Sequence, residues 1–412
     1  LQIEGQAISS LVVEGDGVLE LDTELDGASL REVHATGYDG ELYGLVVENT
    51  GAAGFAAAVI ELGDGERELT LHGATAAGVT INGGAGEDSE SVLVLDQAAY
   101  DSISTFSATD LGKITNIDVL ALDEVASGTY GLLAGADSFE FRDGIAAGGQ
   151  ATLALGDATE IDYVELSGDL ASNNGALAVT STVPLAELTV EATTSTDAAD
   201  EEAVAIEIIT DAKAVTFWAN ADVESEEGLA TGYDLMLTDS SAAGSISTLN
   251  IAGEEYVWFW HNESLQALST LDASQNIAGV GIFLTDFDGL TVTGTESEDF
   301  FGIEATTEGD GAFCTITSVT EGDEIILTFS GPATWQDEQI AIGNGVADEA
   351  AAIDTAIAYL DSLTGTEDNA GWFEFGGNTY VVGAGGAAEA TEFLVVKLMG
   401  VVDVTSGLVQ IE

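Results

Sequence analysis

The chain has 412 residues, and 74 Asp and Glu against 6 Lys and Arg leave a formal net charge of −68. That sign excludes nucleic acid as a partner, because phosphate binding requires a basic surface, and it argues against insertion into or attraction to an anionic membrane. Hydrophobic residues make up 46% of the chain, which is too many for a disordered acidic tail. One cysteine, Cys314, excludes an internal disulfide framework and any Cys-based zinc site.

Short runs in which apolar and polar residues alternate dominate positions 1–330, as at Leu93 and Leu95 or at Phe139 and Phe141. Alternation bounded by Gly, Asp, Asn and Ser predicts β-strands. We therefore predict a mostly β fold, built from tandem β-sandwich or β-solenoid-like modules. A helix is predicted over 347–363, where apolar residues recur at Ala350, Ile353, Ile357 and Leu360.

An internal repeat organises the chain. Segments 11–36 and 249–274 align without gaps, and their apolar positions match. A polar, acidic stretch at 193–202 is typical of a linker. The expected segments are 1–106 (β-module A with a Gly-rich acidic turn), 107–192 (β-rich middle, opening on a short helical turn at 107–111), 193–245 (linker and strands), 246–330 (β-module B, the repeat of A) and 331–412 (C-terminal helix and β-hairpin).

Gly-rich acidic turns are the first candidate sites. The segment 83–88 reads Gly-Gly-Ala-Gly-Glu-Asp, the frame of the calcium-binding nonapeptide repeat, in which Asp and backbone carbonyls hold Ca²⁺. The turns 63–65 and 293–299 are weaker relatives. The alternative interpretation is an acidic β-turn that binds nothing.

Catalytic signatures are absent from the sequence. His34, His72 and His261 are scattered and belong to no metal or nucleophile motif. Cys314 lies in an apolar strand and is expected to be a small core residue. We therefore predict that the protein is not an enzyme.

An aromatic run, Tyr256-Val-Trp-Phe-Trp260, presents Tyr256, Trp258 and Trp260 on one face of a predicted strand. One interpretation is burial against a neighbouring layer of the same chain. The other is an interface with a second subunit, because Trp and Tyr are typical interface anchors.

The C-terminal stretch resembles the closing module of calcium-dependent bacterial S-layer proteins and related haemolysin-type (RTX-like) surface proteins. The resemblance is carried by the helix 347–363 and by the segments 372–382 (WFEFGGNTYVV), 393–400 (FLVVKLMG) and 401–404. It implies export by type I secretion, an extracellular location on the bacterial cell surface, Ca²⁺ as the bound ion, and assembly into a lattice. The positions it marks as calcium ligands are Glu87, Asp88, Glu298 and Asp299, with Asp64 behind them.

Charge gives this expectation a physical basis. Carboxylates in such excess repel one another and keep copies apart, until salt screens them or Ca²⁺ bridges them. The sequence thus favours a secreted structural protein whose copies self-assemble through Ca²⁺ into a surface layer. The alternative is an adhesin or biofilm-matrix protein that binds surface polysaccharide by stacking Tyr256, Trp258 and Trp260 on sugars.

Overall fold

The alternating runs form short β-strands in the computed structural model of the protein. The chain divides into unit 1 (Leu1–Val183 and Leu188–Ser195) and unit 2 (Pro184–Glu187 and Thr196–Glu412). The structure describes residues 2–3, 8–26, 29–48, 58–84, 90–132, 135–158, 160–168, 170, 174–194, 203–221, 232–241, 244–285, 287, 289–304, 312–329, 333–336, 338–343, 345–363, 368–384, 393–404 and 408–411.

The described residues of unit 1 form parallel strands and two short helices. Its elements are β1 (Gln2–Ile3), β2 (Ser10–Gly15), β3 (Val18–Asp26), β4 (Glu32–Tyr38), β5 (Glu41–Glu48), β6 (Val59–Glu61), β7 (Arg67–His72), β8 (Thr80–Asn82), β9 (Ser91–Leu95), α1 (Gln97–Ser104), α2 (Ala108–Leu111), β10 (Ile114–Thr115), β11 (Val119–Leu122), β12 (Gly128–Gly131), β13 (Ser138–Phe141), β14 (Ile145–Ala154), β15 (Val164–Gly168), β16 (Asn174–Thr180) and β17 (Glu187–Thr194).

Strands of unit 1 that are neighbours in a sheet are not neighbours in the chain. Each odd-numbered strand from β1 to β17 pairs in parallel with the next odd-numbered one. The even-numbered strands pair likewise from β2 to β10 and from β12 to β16. The chain therefore winds, giving one strand to each sheet per turn. Parallel pairing supports the solenoid-like alternative of the predicted fold, since sandwiches pair hairpin-connected strands antiparallel.

Unit 2 repeats this winding and adds a C-terminal module. Its elements are β18 (Val204–Thr210), β19 (Ala214–Ala221), β20 (Tyr233–Asp239), β21 (Thr248–Gly253), β22 (Val257–Trp260), a 3₁₀ turn (Glu263–Leu265), β23 (Thr270–Asn276), β24 (Val280–Leu284), β25 (Leu290–Thr293), β26 (Phe300–Glu304), β27 (Ala312–Ile316), β28 (Glu324–Thr328), β29 (Ala333–Trp335), α3 (Glu349–Ser362), β30 (Asp368–Phe375), β31 (Asn378–Ala384), β32 (Phe393–Leu398) and β33 (Val409–Ile411).

One sheet of unit 2 runs β19, β21, β23, β25, β27 and β32 in parallel. It continues through antiparallel β31 and β30 to β29. The other sheet runs β18, β20, β22, β24, β26, β28 and β33, all parallel. Val257 and Phe259 of β22 are fully buried between these sheets, as the alternation predicts.

The sequence repeat is also a repeat of structure. β2 and β4 pair in the same register as β21 and β23, with every residue number raised by 238. Both pairs contain the same irregularity, between Val12 and Glu14 in unit 1 and between Asn250 and Ala252 in unit 2. The predicted linker at 193–202 lies mostly outside the described residues.

The C-terminal helix and hairpin follow the prediction. Asp348 caps α3 by accepting a hydrogen bond from the Ala351 amide. The hairpin β30–β31 turns through Gly376 and Gly377, whose φ angles of +60° and +85° suit a two-residue turn that favours glycine.

The buried face of α3 differs in part from the predicted one. Of the four predicted apolar positions, Leu360 is buried, Ile353 and Ile357 are partly buried against the same cluster, and only Ala350 is exposed. Ala352 and Ala356, which were not predicted, complete the buried face. The apolar residues of α3 go nearly round the helix, so the position of the hairpin decides which face is buried.

The helix α1 was not expected from the sequence. Asp96 caps it and also accepts a hydrogen bond from Gly73 N at 2.7 Å, which ties the helix to the preceding turn of the chain. The predicted helical turn at 107–111 is present as α2, capped by Ser107.

Candidate self-association surface

The aromatic run lies on the outer face of the second sheet of unit 2. Because β22 alternates, its buried Val257 and Phe259 place Trp258 and Trp260 on the opposite side. Trp260 is 45% exposed, and Trp258 and Tyr256 are half-buried. Among the described residues of unit 2, no second layer covers Trp260, which stands about half exposed.

Parallel pairing brings further apolar side chains beside Trp260. Met236 of β20 and Phe283 of β24 pair with it on either side. The Trp260 and Phe283 rings stack with their centroids 3.9 Å apart and an interplanar angle of 4°. The ring centroid of Phe300, on β26, lies 5.2 Å from that of Phe283. We call Met236, Trp258, Trp260, Phe283 and Phe300 the aromatic patch.

Two glycines set the packing of the patch. A Cβ atom at Gly281 would meet the Trp258 ring at 2.0 Å, and one at Gly302 would meet the Phe283 ring at 2.6 Å. The rings therefore lean over backbone that only glycine leaves clear. This lateral contact, rather than a covering layer, half-buries Trp258 and Phe283.

Carboxylates border the patch. Asp234 pairs with Trp258, and Glu207 pairs with Met236. Burial raises the pKa of Asp234 above its ordinary value. The patch is thus an apolar island on a strongly acidic protein, and islands of this kind mark interaction sites.

Sequence reasoning found only the part of this surface that is contiguous in the chain. Met236, Phe283 and Phe300 were missed, because none of them lies near the aromatic run 256–260 in the sequence. Their spacing in the sequence could have revealed them. Each is separated from an aromatic residue of β22 or β24 by about the number of residues in one winding of the chain.

The predicted ligand Asp64 lies in an exposed turn whose carbonyl oxygens already have a cationic partner. The buried guanidinium of Arg67 donates to the carbonyls of Asp64 and Gly40, and to those of Leu62 (2.9 Å) and Tyr38 (2.7 Å). Arg67 thus supplies the positively charged hydrogen-bond donor for these carbonyls. The predicted ligands Glu87 and Asp88 lie outside the described residues.

The other two predicted ligands differ in burial. Glu298 is exposed, whereas Asp299 is 3% exposed. The Asp299 carboxylate accepts hydrogen bonds from the amide and hydroxyl of Thr295 (2.7 and 2.8 Å) and from Val280 N (3.0 Å). These bonds link Asp299 to the preceding turn of the chain. Among the described residues no group of three or more His, Cys, Asp or Glu is placed to hold a metal ion.

A ladder of carboxylates crosses unit 1. Glu140, Glu165 and Glu191 pair in register on β13, β15 and β17, so adjacent members stand on strands about 4.8 Å apart. Arg142 contacts Glu140 at 2.9 Å and Glu68 at 3.0 Å. Burial, with repulsion from Glu140 and Glu191, raises the pKa of Glu165 to about 7.

This pKa gives a prediction for stability. Because the folded pKa of Glu165 (about 7) exceeds its ordinary value of 4.5, folding is penalised as pH rises above 4.5, and the penalty is complete above pH 7. Glu165→Gln is expected to raise the free energy of unfolding by about 1–2 kcal/mol near pH 8.5, allowing for solvent screening, and by less than half as much near pH 5.5. Denaturant titrations at both pH values measure this.

The exposed Glu160 provides the control. Glu160→Gln is expected to change stability by less than about 0.5 kcal/mol at either pH. An equal gain from both substitutions would mean that reduced net charge, and not the ladder, is responsible.

Each histidine contacts a carboxylate or a backbone carbonyl, and the cysteine is buried. His34 Nδ1 lies 2.7 Å from Glu61, whose hydrogen bond raises the pKa of His34. His72 lies near two carboxylates, and buried His261 contacts the Thr285 carbonyl. Cys314 is buried as predicted, and burial raises its pKa to about 12.

Comparison with known proteins adds no relative. No model of a known protein family matches the chain, and no curated protein sequence matches it. Among the described residues, no helix combines the length and the apolar character needed to cross a membrane.

Proposed function

We propose that the chain is a secreted structural protein of the bacterial cell surface whose copies self-associate into a surface layer. The observation that carries this proposal is the aromatic patch, which leaves Met236 and Trp260 about half exposed on an otherwise acidic protein. Such a surface gains free energy when a second copy covers it.

Charge makes this association conditional. Two copies that each carry −68 repel at low ionic strength. Salt at about 1 M shortens the Debye length to about 3 Å, and Ca²⁺ at extracellular concentrations binds clustered carboxylates. Cations are therefore proposed as the condition for assembly, with Ca²⁺ as the physiological one.

The experiment compares the purified chain in three solutions: low salt with EGTA, low salt with millimolar Ca²⁺, and about 1 M NaCl with EGTA. Sedimentation velocity and electron microscopy are the measurements. We expect monomers in the first solution, ordered assemblies in the second, and at least oligomers in the third. Assemblies that persist unchanged in low salt with EGTA would contradict the role of cations.

The adhesin alternative requires ring faces on which a sugar stacks. Phe283 covers one face of Trp260 at 3.9 Å, so a sugar would have to stack on the other face of that ring. Monomers that persist in Ca²⁺ and in salt, yet bind surface polysaccharide, would favour the adhesin.

A further inference from the structure

The internal repeat contains one difference in backbone pairing. In unit 2 the amides of Ser247 and Thr248 donate to Lys213 O, at 2.8 and 3.3 Å. At the other end of β21, two more amides donate to a second carbonyl oxygen, which belongs to β19. Glu254 and Glu255 bond to Ala219 O at 2.8 and 3.1 Å. Strand β19 thus fills one edge of β21.

The counterparts in unit 1, 238 residues earlier, are Ser9, Ser10, Asp16 and Gly17. In the described part of the chain, β2 pairs with β4 alone, and no acceptor is found for these four amides. Ser9 O bonds to the β4 side, as Ser247 O bonds to β23. By the alternation of a parallel strand, Val12 therefore directs its N–H and C=O to the open edge.

Side-chain burial shows the same difference. Leu249 and Ile251 of β21 are fully buried, whereas Leu11 is half-buried and Val13 is 7% exposed. Val12, on the other face of β2, is 59% exposed. The open edge therefore offers unpaired amides together with apolar surface, the two features that strand addition uses.

We propose that the open edge of β2 binds a parallel strand from a second copy of this chain, and that β33 is that strand. The contact it reproduces, β19 on β21, is a parallel edge of this same fold. β33 is the terminal strand of its sheet in the described residues, paired with β28 alone. Because β2 of one copy pairs with β33 of another, the two sides of the contact differ and the contact is heterologous. Such a contact adds copy after copy when it does not close into a ring.

This contact rests on the proposed function only in requiring that copies self-associate. It does not use the aromatic patch. Glu14 and Asp16 are exposed beside the edge, so the contact is expected to form only when cations screen them.

Disulfide trapping tests the contact directly. Full-length Val12→Cys is mixed with Gln410→Cys or Ile411→Cys in millimolar Ca²⁺ under mild oxidation; buried Cys314 stays reduced. Neighbouring strands lie about 4.8 Å apart, within the Cα separation that a disulfide spans. We expect a dimer band at least tenfold stronger than with the exposed control Val125→Cys. Equal bands, or none, would overturn the proposal.

A proline provides the second test. Val12→Pro removes the outward N–H and is tolerated on an edge, whereas Val12→Thr keeps it. We expect Val12→Pro to weaken association at least tenfold by sedimentation, with unchanged circular dichroism, and Val12→Thr to associate like the parent. Association of Val12→Pro at the parental level would overturn the proposal. Trapping that survives the loss of ordered layers would show that the surface-layer function, and not this contact, is wrong.

Discussion

Replacing Trp258 and Trp260 together by Ser is expected to abolish ordered layers in Ca²⁺, leaving at most the linear association through β2 and β33, while the chain stays folded. Trp260 is 45% exposed and Trp258 packs on Gly281 and Phe283, so neither ring belongs to the core between the sheets. Loss of two interface anchors costs at least about 2 kcal/mol each, or roughly thirtyfold in affinity per site. Sedimentation velocity at several concentrations measures the change.

The matched control is Trp218→Ser. Trp218 is 39% exposed on β19, outside the aromatic patch, so its removal deletes an exposed Trp without touching the proposed interface. The control is expected to assemble normally. A double variant that is insoluble or has lost its near-ultraviolet dichroism would show that the run is part of the core. One that assembles like the parent would contradict the patch as the interface.

Arg67→Met is expected to lower the free energy of unfolding by at least about 3 kcal/mol, because each buried polar group left without a partner costs about 1–3 kcal/mol and several carbonyls lose their donor. The Arg67 side chain is 1% exposed and donates to the backbone carbonyls of five residues: Tyr38, Gly40, Leu62, Asp64 and Glu66. Without the guanidinium, these carbonyls lose their donor where water has little access. Arg67→Lys is expected to restore little, because one ammonium cannot reach five carbonyls spread over two segments.

Denaturant unfolding followed by circular dichroism measures this effect, and hydrogen exchange locates it. Protection is expected to fall first in 36–48 and 59–72, the segments that Arg67 joins. Exposed Arg31 is the control, because Arg31→Met is expected to cost less than about 0.5 kcal/mol. Equal losses from the two variants would mean that net charge, rather than the hydrogen bonds from Arg67 to the five carbonyls, determines the stability of this region.

Local patterns were sufficient to predict most secondary structure. Alternation such as that of Val257 and Phe259 predicts a strand with one buried face in any fold that has a core. The helix near 349–362 follows from its apolar spacing, and the structure adds that it begins after Asp348, which caps it. α1 was missed because its eight residues give too short a period, although Asp96 precedes it as an N-cap.

The candidate sites, like the secondary structure, were predicted only in part from the sequence. The sequence identifies Trp258 and Trp260 as unusual, because both stand in one short aromatic run of the chain. It suggests that Asp64 and Asp299 are calcium ligands, because Gly-rich acidic turns are typical of calcium sites. In the structure, Arg67 holds the carbonyls of the first turn, and backbone and Thr donors surround the second carboxylate.

By itself, the sequence determined that this protein is acidic, mostly β, internally repeated, and closed by a helix and a hairpin, because composition and short-range periodicity are local properties. Tertiary structure alone decided that the strands wind as a solenoid-like fold, because a half-buried strand has the same alternation whether its partner is parallel or antiparallel. The tertiary structure also determined which residues form the aromatic patch and which edge of β2 is open. Both depend on which strands lie side by side after the chain has completed a whole turn.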